Sequence, residues 1–196
     1  VLMPGVQHMR HTHLPEHKFV KGQPDTGVEM AEDLERIAMN FGGENIAACI
    51  IEPIAGSTGT LVPPKGYLKR IREICNKHGI LLIFDEVITG WGRTGSAFAA
   101  QEWNVTPDIM TMAKATTNGV VPMGVVAVKD EIYDTVTDAS SAPEGAPELF
   151  HGYTYSGIPV AVAAALAVQD IFDKEDIFKR AKEMSPYLQE GLQSLK

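Results

Sequence analysis

Three ionisable residues close apolar runs in this chain. Glu52 follows Ala48-Cys49-Ile50-Ile51, Asp85 follows Ile80-Leu81-Leu82-Ile83-Phe84, and Lys114 follows Asp108-Ile109-Met110-Thr111-Met112-Ala113. Short apolar runs of this kind read as buried strands, and open parallel sheets bind ligands beyond the carboxyl ends of their strands. An acid and a lysine brought together at such an edge would sit in a cleft with apolar walls. Partial burial there favours the neutral, nucleophilic amine, which is the form Schiff-base chemistry needs. A buried aspartate needs a cationic partner or it takes up a proton, and a protonated ring nitrogen is one such partner. Taken singly, each residue has an ordinary reading. A strand-end lysine is usually solvated, and an aspartate after a strand usually caps the next turn. Only the combination points to chemistry.

The elements that would position these residues follow from periodicity. Residues 1–27 hold Pro4, Gly5, Pro15, Gly22, Pro24 and Gly27 without strong periodicity and read as loop with at most a short strand. Met30, Leu34, Ile37, Ala38 and Phe41 fall at helical spacing over Val28 to Phe41, ended by Gly42-Gly43. Ile46 to Ile51 predicts a buried strand stopped at Glu52-Pro53, and Lys65 to His78 predicts a helix with Leu68, Ile71 and Cys75 inward and Gly79 at its end. Strands are expected at Ile80–Phe84, Pro107–Ala113 and Met123–Val128. Helices are expected over Pro159–Phe172, opening at the proline, and over Ile177–Leu195. Strands alternating with helices and apolar on both faces imply an α/β unit, a mostly parallel sheet flanked by helices.

Composition narrows the partners. The chain has 196 residues, 44% hydrophobic and 21% charged, with a net charge of −8. An acidic chain without a Lys/Arg stripe is a poor match for nucleic acid or an anionic membrane, and its longest apolar stretch, Pro159 to Val168, is too short to span a bilayer. Cys49 and Cys75 make neither a disulfide framework nor a metal-ligand pattern, which suits a reducing, cytoplasmic setting. Asp85-Glu86 after an apolar run resembles the acidic strand end of a P-loop ATPase. That reading needs G-x-x-x-x-G-K-[ST], and the nearest spacing, Gly90 to Gly95, is followed by Ser96. His8, His11, His13 and His17 cluster loosely in a loop without supporting cysteines or carboxylates, so no metal site is expected. Trp91 and Trp103 read as core or interface residues, and Met110 and Met112 as strand packing.

The run Phe84-Asp85-Glu86-Val87-Ile88-Thr89-Gly90-Trp91-Gly92-Arg93-Thr94-Gly95 resembles the class III aminotransferases. So do Pro107-Asp108-Ile109 and Ala113-Lys114-Ala115-Thr116-Thr117-Asn118-Gly119. Within that family the chain is most similar to the omega-amino acid–pyruvate branch. Ile51-Glu52-Pro53-Ile54 and His151-Gly152-Tyr153-Thr154-Tyr155-Ser156-Gly157 fit the same pattern, and the motifs run in order over nearly the whole chain. The resemblance implies part of the large domain of a fold-type I enzyme dependent on pyridoxal 5′-phosphate (PLP). Lys114 would hold the cofactor as a Schiff base and then move the proton as base and acid. Asp85 would pair with the pyridine nitrogen. Val87 would pack on one ring face, reached from extended backbone at i, i+2 spacing. Thr154 resembles the threonine that reaches the cofactor phosphate of the neighbouring subunit, which implies a homodimer with a shared site. Glu52 matches a Glu-Pro segment near substrate and cofactor, and Arg93 looks like part of a structural turn.

The implied reaction moves an amino group from an amine or omega-amino acid to a keto acid such as pyruvate. Family members are longer. A Gly-Ser phosphate turn and a stacking aromatic expected upstream, and a small domain with a carboxylate-binding arginine expected downstream, are not found between Val1 and Lys196. Ile158 stands where His or Asn is usual in Ser-Gly-x-Pro. The chain thus reads as a central part of the large domain, expected to bind the cofactor weakly and transaminate poorly by itself. Two alternatives stand beside transamination: an aminomutase or decarboxylase built on the same site, and a non-catalytic remnant that keeps the fold.

Overall fold

The computed structural model describes residues 3–141, 143 and 151–195. Its centre is a four-stranded sheet of order β1-β2-β3-β4, with β1 at Ala48–Ile51, β2 at Leu81–Asp85, β3 at Ile109–Met112 and β4 at Val125–Val128. β1, β2 and β3 run parallel, and β4 returns antiparallel beside β3. The expectation of a mostly parallel α/β sheet holds. β4 returns antiparallel after residues 113–124, which hold the 3-10 turn Lys114–Thr116 and no helix to carry a parallel crossover.

The helices are α1 (Glu32–Phe41), α2 (Tyr67–His78), α3 (Ala99–Glu102), α4 (Asp130–Asp138), α5 (Pro159–Lys174) and α6 (Ile177–Gln193). α3 and α4 lie outside the stretches expected to be helical. The periodic stretch from Val28 begins as a 3-10 turn, Val28–Ala31, before α1 takes over. α2 ends as its sequence requires, with Gly79 left-handed (φ 69°) and its N–H bonded to the Cys75 carbonyl. Among the described residues, 3–27 hold one 3-10 turn, Pro15–His17, and no strand.

Register decides which face is buried. Cys49 lies opposite Leu82 and Ile51 opposite Phe84, so these side chains share one face. There they meet Leu34 and Ala38 of α1 and Leu68, Ile71, Ile74 and Cys75 of α2 in the core. Cys75 and burial both push the Cys49 thiol upward, keeping it protonated. The other face departs from the expectation of burial on both sides: Ile50 is 62% exposed and Val126 64%.

Candidate active site

Parallel pairing brings the three strand ends to one edge. Ile51 pairs with Phe84 and Asp85 with Thr111, so Glu52 and Asp85 leave neighbouring strands at the same level. Lys114 follows Thr111 by three residues, beyond the same edge. Neighbouring strands lie roughly 4.8 Å apart, so β1, β2 and β3 present their residues within one ligand-sized span.

Each carboxylate first satisfies its own turn. Asp85 Oδ1 accepts the Val87 N–H at 3.0 Å, and Glu52 Oε2 accepts the Gly56 N–H at 2.9 Å. The capping role common for strand-end acids is therefore present at both. Asp85 Oδ2 has no hydrogen-bonding partner among the described residues and remains available to a donor. Val87 differs from its expected geometry. β2 ends at Asp85, and Val87 stands in the turn over 87–90, so it is brought beside Asp85 by that turn and not by continued extended backbone.

Lys114 opens the 3-10 turn Lys114–Thr116 with left-handed backbone, φ 45°. Such a conformation is uncommon for a non-glycine residue and marks a position held by its surroundings. The expectation of an apolar-walled lysine is corrected: Lys114 is exposed, and its amine has no hydrogen bond or ion pair among the described residues. Among the described residues, no hydrogen bond joins residues 151–158 to Lys114. Thr154 lies in an exposed loop of its own and is not brought to the Lys114 edge by any hydrogen bond.

The loop leaving β2 is held from within. Glu86, fully buried, accepts the Thr89 hydroxyl (2.7 Å) and the Ala99 N–H (2.9 Å) on Oε2, and the Ala100 N–H (2.8 Å) on Oε1. Its own N–H donates to the Thr111 carbonyl at 2.9 Å, continuing the β2–β3 pairing past Asp85. Sequence reasoning considered Glu86 only as part of an acidic pair. The missed signal was the threonine three residues on and the need to satisfy the free N–H groups that open α3. Gly90 donates to the Glu86 carbonyl (2.9 Å), and a Cβ at Gly90 would stand 2.8 Å from that oxygen. Arg93 Nη1 donates to the Ile88 carbonyl at 2.7 Å, as a turn residue. Trp103 packs on the edge of the core.

At the opposite, amino end of β3, Asp108 gathers three donors. Leu82 N–H (2.7 Å) and Arg72 Nη1 (2.6 Å) reach Oδ2, and Lys129 Nζ (2.6 Å) reaches Oδ1. Burial alone would push the Asp108 carboxyl up, but these donors outweigh it and hold it below the usual carboxylate range. No group of three or more metal-binding side chains occurs among the described residues, the histidines at 8–17 included.

The donor set fits an aldehyde cofactor with a basic ring nitrogen. It offers an unpaired amine, a carboxylate oxygen left open by its own turn, and an apolar side chain from that same turn. Comparisons with known proteins agree. The family model for aminotransferase class-III matches residues 2–196. The chain is 54% identical over 195 residues to an omega-aminotransferase of Caulobacter vibrioides, covering 99% of this chain and 44% of that relative. It is 48% identical to an omega-amino acid–pyruvate aminotransferase of Pseudomonas putida, covering 99% and 43%. An amine transaminase from an uncultivated Pseudomonas species, solved in a PLP-bound form, superposes with a TM-score of 0.78 at 42% identity, covering 85% of this chain and 37% of that one. The chain spans under half the length of the curated relatives it matches. A family match over almost every residue, with the motif residues meeting at one sheet edge, shows that the chain belongs to the class III aminotransferases.

Proposed function

We propose that the protein carrying this sequence is a PLP-dependent aminotransferase that moves an amino group from an amine or omega-amino acid to a keto acid such as pyruvate. Residues 1–196 form part of its cofactor-binding large domain. The observation that carries this reading is the pairing of β2 with β3 in parallel, which sets Asp85 and Lys114 at one edge with the Lys114 amine free.

When bound, PLP supplies an electrophilic aldehyde carbon and a ring that withdraws electrons. Lys114 Nζ would hold the cofactor through that carbon, and as a free amine it would move a proton at the substrate carbon, first as base and then as acid. Asp85 Oδ2 would keep the ring nitrogen protonated, while Oδ1 stays engaged with the Val87 N–H. Val87 would offer its isopropyl group to the ring, and Glu52, one strand away, would orient polar groups of cofactor or substrate. Thr154 would serve the phosphate across a homodimer interface, which accords with its exposure and with its lack of hydrogen bonds among the described residues. The net charge of −8 supports small-molecule partners over nucleic acid or anionic membrane, and a cytoplasmic setting accords with two free cysteines. No helix among the described residues is long and apolar enough to cross a membrane.

The test is addition of PLP, a visible absorption spectrum, borohydride reduction and peptide mass mapping. A new visible band with the reduced label on Lys114, both lost in Lys114→Ala, is expected. No band, or label scattered over surface lysines, would overturn the assignment.

A further inference from the structure

Three non-glycine residues in segments 87–98 and 113–119 have left-handed backbone, Trp91 (φ 62°), Lys114 (φ 45°) and Asn118 (φ 51°). The two segments are the loop after Asp85 and the turn after β3. One hydrogen bond joins those segments beyond the sheet: Trp91 Nε1 donates to Thr116 Oγ1 at 3.0 Å. Among the described residues, no other hydrogen bond runs from 87–98 to 113–119. The same Thr116 hydroxyl donates to the Ala113 carbonyl at 3.0 Å, alongside the Thr116 N–H, which reaches that carbonyl at the same distance. Thr116 is buried, so its hydroxyl has no water to replace these partners. It thereby closes the turn whose first residue is Lys114.

Trp91 is itself fixed in place. Its backbone N–H donates to the Ala97 carbonyl at 2.6 Å. Its ring meets Phe98 edge-on at 5.0 Å between centroids and Phe172 of α5 at 6.3 Å. A donor clamped on three sides and aimed at a buried hydroxyl two residues from Lys114 does more than fill space. We infer that Trp91 is a positioning residue: its indole N–H, through Thr116, holds the Lys114 turn at a set distance and angle from the Asp85 strand end. The inference rests on the reading of Lys114 as the cofactor-binding lysine.

The experiment separates the N–H from the ring. Trp91→Phe keeps an aromatic ring and removes the donor, Thr116→Val keeps the volume and removes the hydroxyl, and Thr116→Ser keeps both hydroxyl bonds. PLP affinity, the pH midpoint of its visible band and the extent of borohydride label on Lys114 are measured for each, beside a thermal melt. Trp91→Phe and Thr116→Val are each expected to weaken PLP binding about tenfold and to move the pH midpoint. The double variant is expected to be no worse than the more impaired single one, and Thr116→Ser to match the parent. Parent affinity and midpoint in Trp91→Phe, or losses that add fully in the double variant, would overturn the inference. If Trp91→Phe does not fold, the contrast of Thr116→Val with Thr116→Ser decides, and equal values for those two overturn it. Failure of the underlying reading looks different: Lys114→Ala would then keep band and label.

Discussion

Removing the Asp108 carboxylate separates the energetics of the fold from the chemistry of the site. Asp108 is 9% exposed and binds Arg72 of α2, the Leu82 N–H of β2 and Lys129 after β4. In Asp108→Ala the Arg72 guanidinium, 17% exposed, loses its one ion-pair partner among the described residues, where its Nε already lacks an acceptor. Stranding one half of a buried pair costs about 3–5 kcal/mol. Lys129, 43% exposed, returns to water and contributes roughly 1 kcal/mol or less. A loss of about 4 kcal/mol, set against a total of roughly 5–15 kcal/mol, should lower Tm by about 8–16 °C for a chain of this size. Urea denaturation at pH 7 measures the loss directly. Adding Arg72→Met to Asp108→Ala should recover most of it, because no charge is then left buried. The pH dependence has a fixed sign. A carboxyl held below its ordinary value contributes its full stabilisation above pH ~4, the unfolded value, and loses it as pH falls through the lower folded value. The gap between parent and Asp108→Ala should therefore narrow below pH 4. A loss under about 1 kcal/mol, or a double variant as unstable as the single, would refute this account. Because Asp108 sits at the other end of β3 from Lys114, borohydride labelling of folded Asp108→Ala should stay at the parent level.

Other perturbations read the loop and the strand end. Glu86→Ala should cost about 3 kcal/mol, since it strips the Thr89, Ala99 and Ala100 donors of a charged acceptor, and limited proteolysis should then cut within residues 87–98. Gly90→Ala should cost about 1–3 kcal/mol by driving a methyl against the Glu86 carbonyl. Gly191→Ala, in open space on α6, should instead gain about 0.5–1 kcal/mol; urea midpoints report both signs. Asp85→Asn keeps the acceptor for the Val87 N–H and should leave stability within about 0.5 kcal/mol, while PLP affinity falls at least about tenfold in a spectroscopic titration.

Much of the architecture was legible because apolar periodicity is local. Leu68, Ile71 and Cys75 face the core of α2 as their spacing required, and Gly79 ends that helix with the left-handed backbone glycine allows. Strand-end residues could be named for the same reason, since Glu52, Asp85 and Lys114 each interrupt an apolar run. Short or polar segments carried no such signal. α3 has four residues, about one turn, too short to show a repeat, and α4 offers only Ile132 and Val136 as an aliphatic pair at helical spacing.

Sequence by itself therefore determined the residue types, the strands that carry them and the family they resemble. Tertiary structure decided which strand lies beside which, and hence that Asp85 and Lys114 share an edge. It also decided what each polar group bonds. Glu86 is buried and bound to α3, Trp91 reaches Thr116, and Asp108 meets Arg72 across 36 residues of chain. Hydrogen bonds across such separations depend on where the backbone returns in space, and local spacing carries no record of that return.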